Sequence, residues 1–143
     1  MKYAMFIGRW QPWHDGHQWL IDQKLNQGSR VLLCIRDVQP DDSNPWTAEQ
    51  VYKNLSKVHY DLIKQGKIKL MIIPDIESVN YGRGVGYNVI EHIPPSDVSE
   101  ISATKIREQL KKDGKLEEAY CKNYNLEKCG YIGYHDSWVD CNR

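Results

Sequence analysis

The sequence has no excess of either charge and no long apolar segment. Among its 143 residues, 19 Lys and Arg balance 19 Asp and Glu, so no overall field attracts nucleic acid or an anionic membrane. No apolar run approaches the roughly 20 residues that cross a bilayer, and the N-terminal one is too short for a signal peptide. We therefore expect one domain with neither nucleic-acid nor membrane partners.

Cysteine is scarce, and its spacing includes no CxxC pair. The four cysteines are Cys34, Cys121, Cys129 and Cys141. This usage predicts a reduced, cytoplasmic protein. The last three could bind zinc together with His135, but their spacing matches none of the usual paired-ligand patterns, and no acidic cluster suggests a metal cage. No protein-bound metal is predicted.

Apolar runs and helix signals alternate in the first half of the chain. The continuous apolar run over residues 3–7 predicts a strand that is buried on both faces, the run over 31–35 predicts a second buried strand, and residues 68–73 predict a third strand. Helical patterns over 15–26 and 48–65 separate them, and Thr47 and Gln50 match a capping box at the start of the second helix. This order implies right-handed crossovers and a parallel sheet, in which ligands bind beyond the carboxyl ends of the strands.

The second half of the chain predicts smaller elements and a tail. Short strands are expected over 89–93 and 98–101, followed by a helix over about 104–111 with Ser102 in the position of its N-cap. The segment 113–143 is expected to contain one more helix and an aromatic tail. Because disordered tails are poor in aromatic residues, we expect this one to pack on the domain or on a partner subunit.

The turn that follows the first strand, Phe6–His17, offers groups that suit phosphate oxygens. His14 and His17 lie three residues apart, so a helix beginning near His14 would place both imidazoles on one face of its first turn. The first turn also carries free amides and the positive end of the helix dipole. Together these groups favour a nucleotide phosphate as the ligand.

Two motifs make the sequence recognisable. His14–His17, after Gly8–Pro12, resembles the HxGH motif, and Ile101–Arg107 resembles the ISxTxxR motif, of one nucleotidyltransferase superfamily. That superfamily includes cytidylyltransferases, archaeal-type nicotinamide mononucleotide (NMN) adenylyltransferases and phosphopantetheine adenylyltransferase. The motifs occur in the family's order. The resemblance covers roughly residues 2–112, which predicts a nucleotidyltransferase domain over 1–112.

The resemblance implies both a fold and a reaction. The fold is α/β, a Rossmann-like three-layer α/β/α arrangement with a mostly parallel five-stranded sheet. In the reaction, a phosphate or phosphonate of a small acceptor attacks the α-phosphate of a nucleoside triphosphate, and pyrophosphate leaves. Mg²⁺ is expected to arrive with the triphosphate, because magnesium usually keeps several waters and binds through substrate phosphates.

The same resemblance suggests roles for individual residues. It assigns stabilisation of the transferred phosphate to His14 and His17, with Lys105 and Arg107 as the matching cations. The expected nucleotide-binding residues are Gly8, Arg9, Trp10, Gly16, Ile101, Ser102 and Thr104. A side chain at position 16 would fill space that the nucleotide needs. At the rim of the sheet, the expected acceptor-binding residues are Asp37, Trp46 and Asp75.

Several alternatives remain open at the level of sequence. The Gly8–Pro12 segment looks most like archaeal-type adenylyltransferases, whereas the compact domain also suits cytidylyltransferases, so ATP and CTP both remain candidates. The acceptor and the oligomeric state are not readable, although family members often form homo-oligomers. The alternative to an enzyme is a non-catalytic nucleotide-binding module that acts through its C-terminal tail. A class I aminoacyl-tRNA synthetase is disfavoured, because no KMSKS-like run or basic surface is present.

Overall fold

A computed structural model describes residues 2–84 and 86–114. Within them, three strands alternate with helices, and two further helices follow. The strands are β1 (Tyr3–Gly8), β2 (Arg30–Asp37) and β3 (Ile68–Pro74). The helices are α1 (Asp15–Leu25), α2 (Ala48–Val58), α3 (Tyr60–Lys64), α4 (Ser96–Ser99) and α5 (Ala103–Lys112). The predicted tail helix and the aromatic tail lie outside the described residues.

The described strands form one parallel sheet in the order β1-β2-β3. In register, Gly8 pairs with Ile35 at the carboxyl ends of β1 and β2, and Asp37 pairs with Pro74 at those of β2 and β3. This arrangement confirms the predicted α/β class and the parallel crossovers. The loops that leave β1, β2 and β3 therefore begin at the same edge of the sheet.

One face of this sheet is much better covered than the other. Val31, Leu33 and Ile35 of the central strand are fully buried and belong to the main hydrophobic cluster, together with residues of α1, α2 and α5. On the opposite face, Met5 and Met71 are 59% and 42% exposed. The prediction that the first strand is buried on both faces is therefore wrong.

The long helix predicted over 48–65 is two helices. The predicted capping box at its start is present: the Thr47 hydroxyl accepts from the Gln50 amide, and the Gln50 side chain accepts from the Thr47 amide. His59 separates α2 from α3 with φ −109° and ψ 23°. The backbone bonds from His59 N to Leu55 O and from Ile63 N to His59 O span the break, so the two helices follow each other closely.

The fourth and fifth strands were predicted wrongly, and the described part of the sheet has three strands. Residues 89–93 have no regular structure, and Val89 and Ile93 are 69% and 78% exposed. An apolar run becomes a strand only where a neighbouring strand accepts its hydrogen bonds. Residues 96–99 form the short helix α4, and Pro95 is its N-cap residue with φ −61° and ψ 161°.

Candidate functional site

The first turn of α1 is held by a ring nitrogen. His14 is the N-cap residue of α1, and its Nδ1 accepts from the Gly16 amide at 3.0 Å and from the His17 amide at 3.4 Å. These two amides were expected to be free for phosphate, and that expectation is wrong. Because Nδ1 accepts two hydrogen bonds, the proton of the neutral ring lies on Nε2, which is then a donor.

The two histidines of the motif lie against each other. The rings of His14 and His17 stack with centroids 3.7 Å apart and 19° between their planes, which agrees with the prediction that both imidazoles lie on one face of the first turn. Burial, with the nearby Arg107 charge as the second cause, lowers the pKa of His14 to about 4. Burial, followed by the influence of His14, also lowers the pKa of His17 well below its usual range. Both imidazoles are therefore neutral hydrogen-bond donors at pH 7 rather than cations.

The glycines of this turn make room for rings. A Cβ on Gly16 would lie 2.8 Å from Cε1 of His14, and a Cβ on Gly8 would lie 2.8 Å from Cε2 of Trp10. Such distances essentially never occur for real Cβ atoms. Position 16 therefore needs a glycine because the His14 ring lies directly over it. This contact explains the glycine without the nucleotide that the sequence predicted there.

Two tryptophans that were predicted to contact substrates, Trp10 in the turn and Trp46 in the loop before α2, are buried. Trp10 is 4% exposed, has a φ of +54°, and donates from its indole Nε1 to the Cys34 carbonyl of β2 at 3.0 Å. Trp46 is 2% exposed, and its backbone is held on both sides by Gln11, whose side chain donates to Trp46 O and accepts from Trp46 N. Trp10 and Trp46 thus fix the turn against the sheet and against the loop before α2.

The second motif reaches the first through Arg107. Its guanidinium donates to the Gln11 carbonyl and to the Thr104 hydroxyl. Ser102 is the N-cap residue of α5, as predicted, and its hydroxyl accepts from the Lys105 amide. The structure thus brings Arg107 next to the HxGH turn, where its positive charge contributes to lowering the pKa of His14.

The remaining predicted residues occupy varied positions. Arg9, Thr104 and Lys105 are exposed, and Ile101 packs against the core. At the rim, Asp37 is exposed at the end of β2. Asp75 pairs with Arg36, with 2.6 Å between Asp75 Oδ1 and Arg36 Nη2, so its charge is already partly balanced.

Sequence reasoning missed three residues near this site. Gln11 carries the two-way bond to Trp46, Arg36 pairs with Asp75, and the buried His59 packs against Trp13. Gln11 lies within the Gly8–Pro12 segment that carries the resemblance. Nothing in the sequence shows that its side chain binds the backbone of Trp46, in the loop before α2. For His59, the sequence indicates only a structural position on the amphipathic helix predicted over 48–65.

A metal-binding group is absent from residues 2–84 and 86–114: they hold no cluster of three or more His, Cys, Asp or Glu that could bind a metal ion. The same residues include no helix long and apolar enough to cross a membrane. A cavity of about 480 Å³ lies between the ends of α1 and α3 and includes Gly28 and Gly66, but it contains none of the predicted site residues.

Comparison with known proteins supports the resemblance drawn from the two motifs. No protein-family model matches the sequence. The chain is 35% identical over 63 residues to a nicotinamide-nucleotide adenylyltransferase of Methanococcus aeolicus, covering 40% of this chain and 37% of the relative. It is 26% identical over 116 residues to the enzyme of that name from Methanocorpusculum labreanum, covering 80% and 66%.

A bacterial relative extends the similarity. The nicotinamide/nicotinic acid mononucleotide adenylyltransferase of Acinetobacter baylyi is 32% identical over 76 residues, which cover 52% of this chain and 40% of the relative. These relatives are named as nucleotidyltransferase enzymes, and they confirm the predicted resemblance to the nucleotidyltransferase superfamily. The chain spans between 37% and 66% of the length of the three relatives.

A solved structure is also partly similar. It is a bifunctional NMN adenylyltransferase/ADP ribose pyrophosphatase from Francisella tularensis, complexed with AMP and a manganese ion. The similarity has a TM-score of 0.43 and 27% sequence identity, and it covers 52% of this chain and 23% of that chain. At this TM-score the similarity does not establish a common fold.

Proposed function

We propose that this chain transfers the AMP group of ATP to a small phosphate-bearing acceptor of the mononucleotide class, with release of pyrophosphate. The observation that carries the proposal is the meeting of the two motifs: Arg107 donates to the Gln11 carbonyl beside the stacked His14 and His17. The names of the relatives favour adenylyl transfer over cytidylyl transfer.

The proposed reaction needs no covalent bond to the protein. An oxygen of the acceptor phosphate attacks the α-phosphorus, the bond from that phosphorus to the bridging oxygen breaks, and pyrophosphate leaves with the electron pair. The protein then has to align the reactants and stabilise charge on the oxygens around the α-phosphorus. Neutral imidazoles suit this role, because they donate hydrogen bonds without having to be protonated first.

The proposed roles follow the positions of the side chains. His14, with its proton on Nε2, and His17 donate to the α-phosphate. Arg107, held beside them, neutralises the leaving pyrophosphate, and the exposed Lys105 at the start of α5 binds the β- and γ-phosphates. The predicted nucleotide contacts of Arg9, Ser102 and Thr104 belong to the same proposal.

Mg²⁺ belongs to the proposal as a companion of the triphosphate. The described residues offer no group of three or more ligating side chains, so the phosphate oxygens and water would supply most of the ligands. Bound there, the ion would neutralise the charge of the leaving pyrophosphate. Manganese is another divalent ion that the test should include.

The acceptor is proposed to lie over the rim of the sheet. Asp37 is exposed there, and the Arg36–Asp75 pair supplies a guanidinium that could bind an acceptor phosphate if Asp75 moved. Stacking on Trp46 would require its buried ring to move as well. CTP and a phosphonate acceptor remain the second choice. The three-layer Rossmann-like arrangement is part of this proposal too.

The test is pyrophosphate release in the presence of Mg²⁺ or Mn²⁺, with each of the four ribonucleoside triphosphates. The acceptors would be NMN, nicotinic acid mononucleotide, phosphocholine, glycerol 3-phosphate and a simple phosphonate. We expect release with ATP and a mononucleotide, and its loss in His17→Ala. Triphosphate binding detected by calorimetry without any release would instead favour the non-catalytic binding module.

A further inference from the structure

A cluster of buried ring nitrogens lies behind the histidines of the candidate site. Trp13 is 2% exposed and His59 is 3% exposed, and the Nδ1 atom of His17 is also buried. Trp13 Nε1, His17 Nδ1 and His59 Nε2 have no hydrogen-bond partner among the described residues. A buried polar atom without a hydrogen bond destabilises the folded protein. Three of them in one place call for an explanation.

The three rings are in contact with one another through Trp13. Its ring centroid lies 4.7 Å from that of His59 and 5.2 Å from that of His17. The Trp13 and His59 planes meet at 87°, and those of Trp13 and His17 meet at 45°. The first of these contacts brings an edge towards a face and the second is tilted, and no ring nitrogen of the three donates to another. A small partner lying among the three rings would supply the hydrogen bonds that they lack.

We propose that one buried water molecule binds among Trp13, His17 and His59, and that it holds His17 in the form that carries its proton on Nε2. The indole Nε1 can only donate, and a neutral imidazole has one nitrogen that accepts. A water that accepts from Trp13 and donates to His17 Nδ1 and His59 Nε2 satisfies all three atoms. Three hydrogen bonds are typical of a buried water.

The electrostatics of the cluster agree with this assignment. Burial lowers the pKa of His59 to about 4 and that of His17 well below its usual range, so both rings are neutral at pH 7. The side chain of His59 makes no capping hydrogen bond at the start of α3, and its Nε2 atom is available to a water. Within the proposed function, on which this role rests, His59 is a positioning residue: it acts through the water on the ring of His17.

The direct test is NMR on the full chain without nucleotide. Histidine ¹⁵N shifts report which ring nitrogen carries the proton, and cross-relaxation between the Trp13 indole proton and water reports a long-lived bound water. We expect a water cross-peak at Trp13 and an unprotonated Nδ1 at His17. A Trp13 indole proton without that cross-peak, or a His17 that is protonated at Nδ1, would overturn the proposal. Both readings are independent of turnover.

Variants extend the test to His59. We expect His59→Phe to lose the cross-peak, to shift the His17 ¹⁵N resonances, and to lower kcat on the order of tenfold at unchanged KM, from the loss of about one hydrogen bond. His92→Phe is the matched control, because His92 packs on Phe6 at 6.3 Å, away from this cluster. His59→Gln, whose amide can reach a water, should restore part of each signal.

The outcomes separate this proposal from the proposed function. If His59→Phe keeps both the cross-peak and the His17 shifts, the role of His59 is refuted. If His59→Phe does not fold, the wild-type spectrum alone decides whether the water is present. An inactive wild-type chain that shows the cross-peak would refute the proposed function and leave the water site standing.

Discussion

The guanidinium of Arg107 donates a hydrogen bond to the backbone carbonyl of Gln11, across a sequence separation of 96 residues. This bond joins the start of α5 to the turn before α1. It holds Arg107 against the turn, where its charge contributes to the lowered pKa of His14. In the proposed function, the same bond brings the two motifs to one nucleotide.

We expect Arg107→Lys to lower kcat/KM by about 10²-fold, because an ammonium keeps the charge but not the planar fork that reaches Gln11 and Thr104. The measurement is steady-state kinetics of pyrophosphate release, accompanied by urea unfolding to verify the fold. Arg107→Lys with wild-type kinetics would show that the charge alone is sufficient.

His14 combines capping with its proposed catalytic role, and two variants separate these. His14→Ala should lower the free energy of unfolding by about 1 kcal/mol, because α1 loses its N-cap acceptor, and should also lower kcat. His14→Asn restores a capping side chain and so should recover the stability without recovering the rate. Recovery of both in the Asn variant would mean that His14 acts only as a cap.

Gly16→Ala tests the packing of the His14 ring. The added Cβ would lie 2.8 Å from Cε1 of that ring, so the ring must move and the rate should fall by about 10²-fold. Gly28→Ala is the control: Gly28 has a φ of +81°, and a Cβ added there would meet nothing within 4 Å, so its cost of about 1 kcal/mol should be confined to stability. Equal rates in the two variants would contradict this geometry.

Stability should depend on pH through buried histidines. The pKa of His14 and that of His59 are each lowered to about 4, so between pH 4 and 6.5 the unfolded chain binds more protons than the folded one. The stabilisation is therefore complete above about pH 6.5 and is lost as the pH falls towards 4. Each histidine contributes a slope of up to about 1.4 kcal/mol per pH unit.

Urea unfolding between pH 4 and 7 measures this slope. His59→Phe should reduce this slope by the contribution of one histidine. An unchanged slope in His59→Phe would mean that the folded-state pKa of His59 is close to its ordinary value.

The sequence predicted the parallel βαβ core well, because its signals are local. The apolar run of β2, the capping box at Thr47 and the N-cap at Ser102 all depend on neighbours within a few residues, and all three are present. The strands predicted over 89–93 and 98–101 are absent, because strand formation depends on contacts that are distant in sequence. A strand needs a partner from elsewhere in the chain, which apolar composition does not supply.

The site was predictable as a set of residues but not as a set of contacts. The motif spacing predicted that His14 and His17 lie on one face of the first turn of α1, and their rings are in contact there. The spacing could not reveal that His14 Nδ1 accepts hydrogen bonds from amides of the first turn, or that the Gln11 side chain is hydrogen-bonded to the backbone of Trp46. Those bonds depend on ring orientation and on a loop distant in sequence. The roles of the site residues in binding remain predictions.

The most direct test of adenylyl transfer is the fate of a labelled phosphate. The chain would be incubated with Mg²⁺, NMN and ATP carrying ³²P at either the α- or the γ-position, and products would be separated by chromatography. We predict that the α-label moves to a dinucleotide, that the γ-label leaves as pyrophosphate, and that His17→Ala lowers both by about 10²–10³-fold. Transfer of the γ-label to the acceptor, or equal transfer by His17→Ala, would contradict adenylyl transfer at this site.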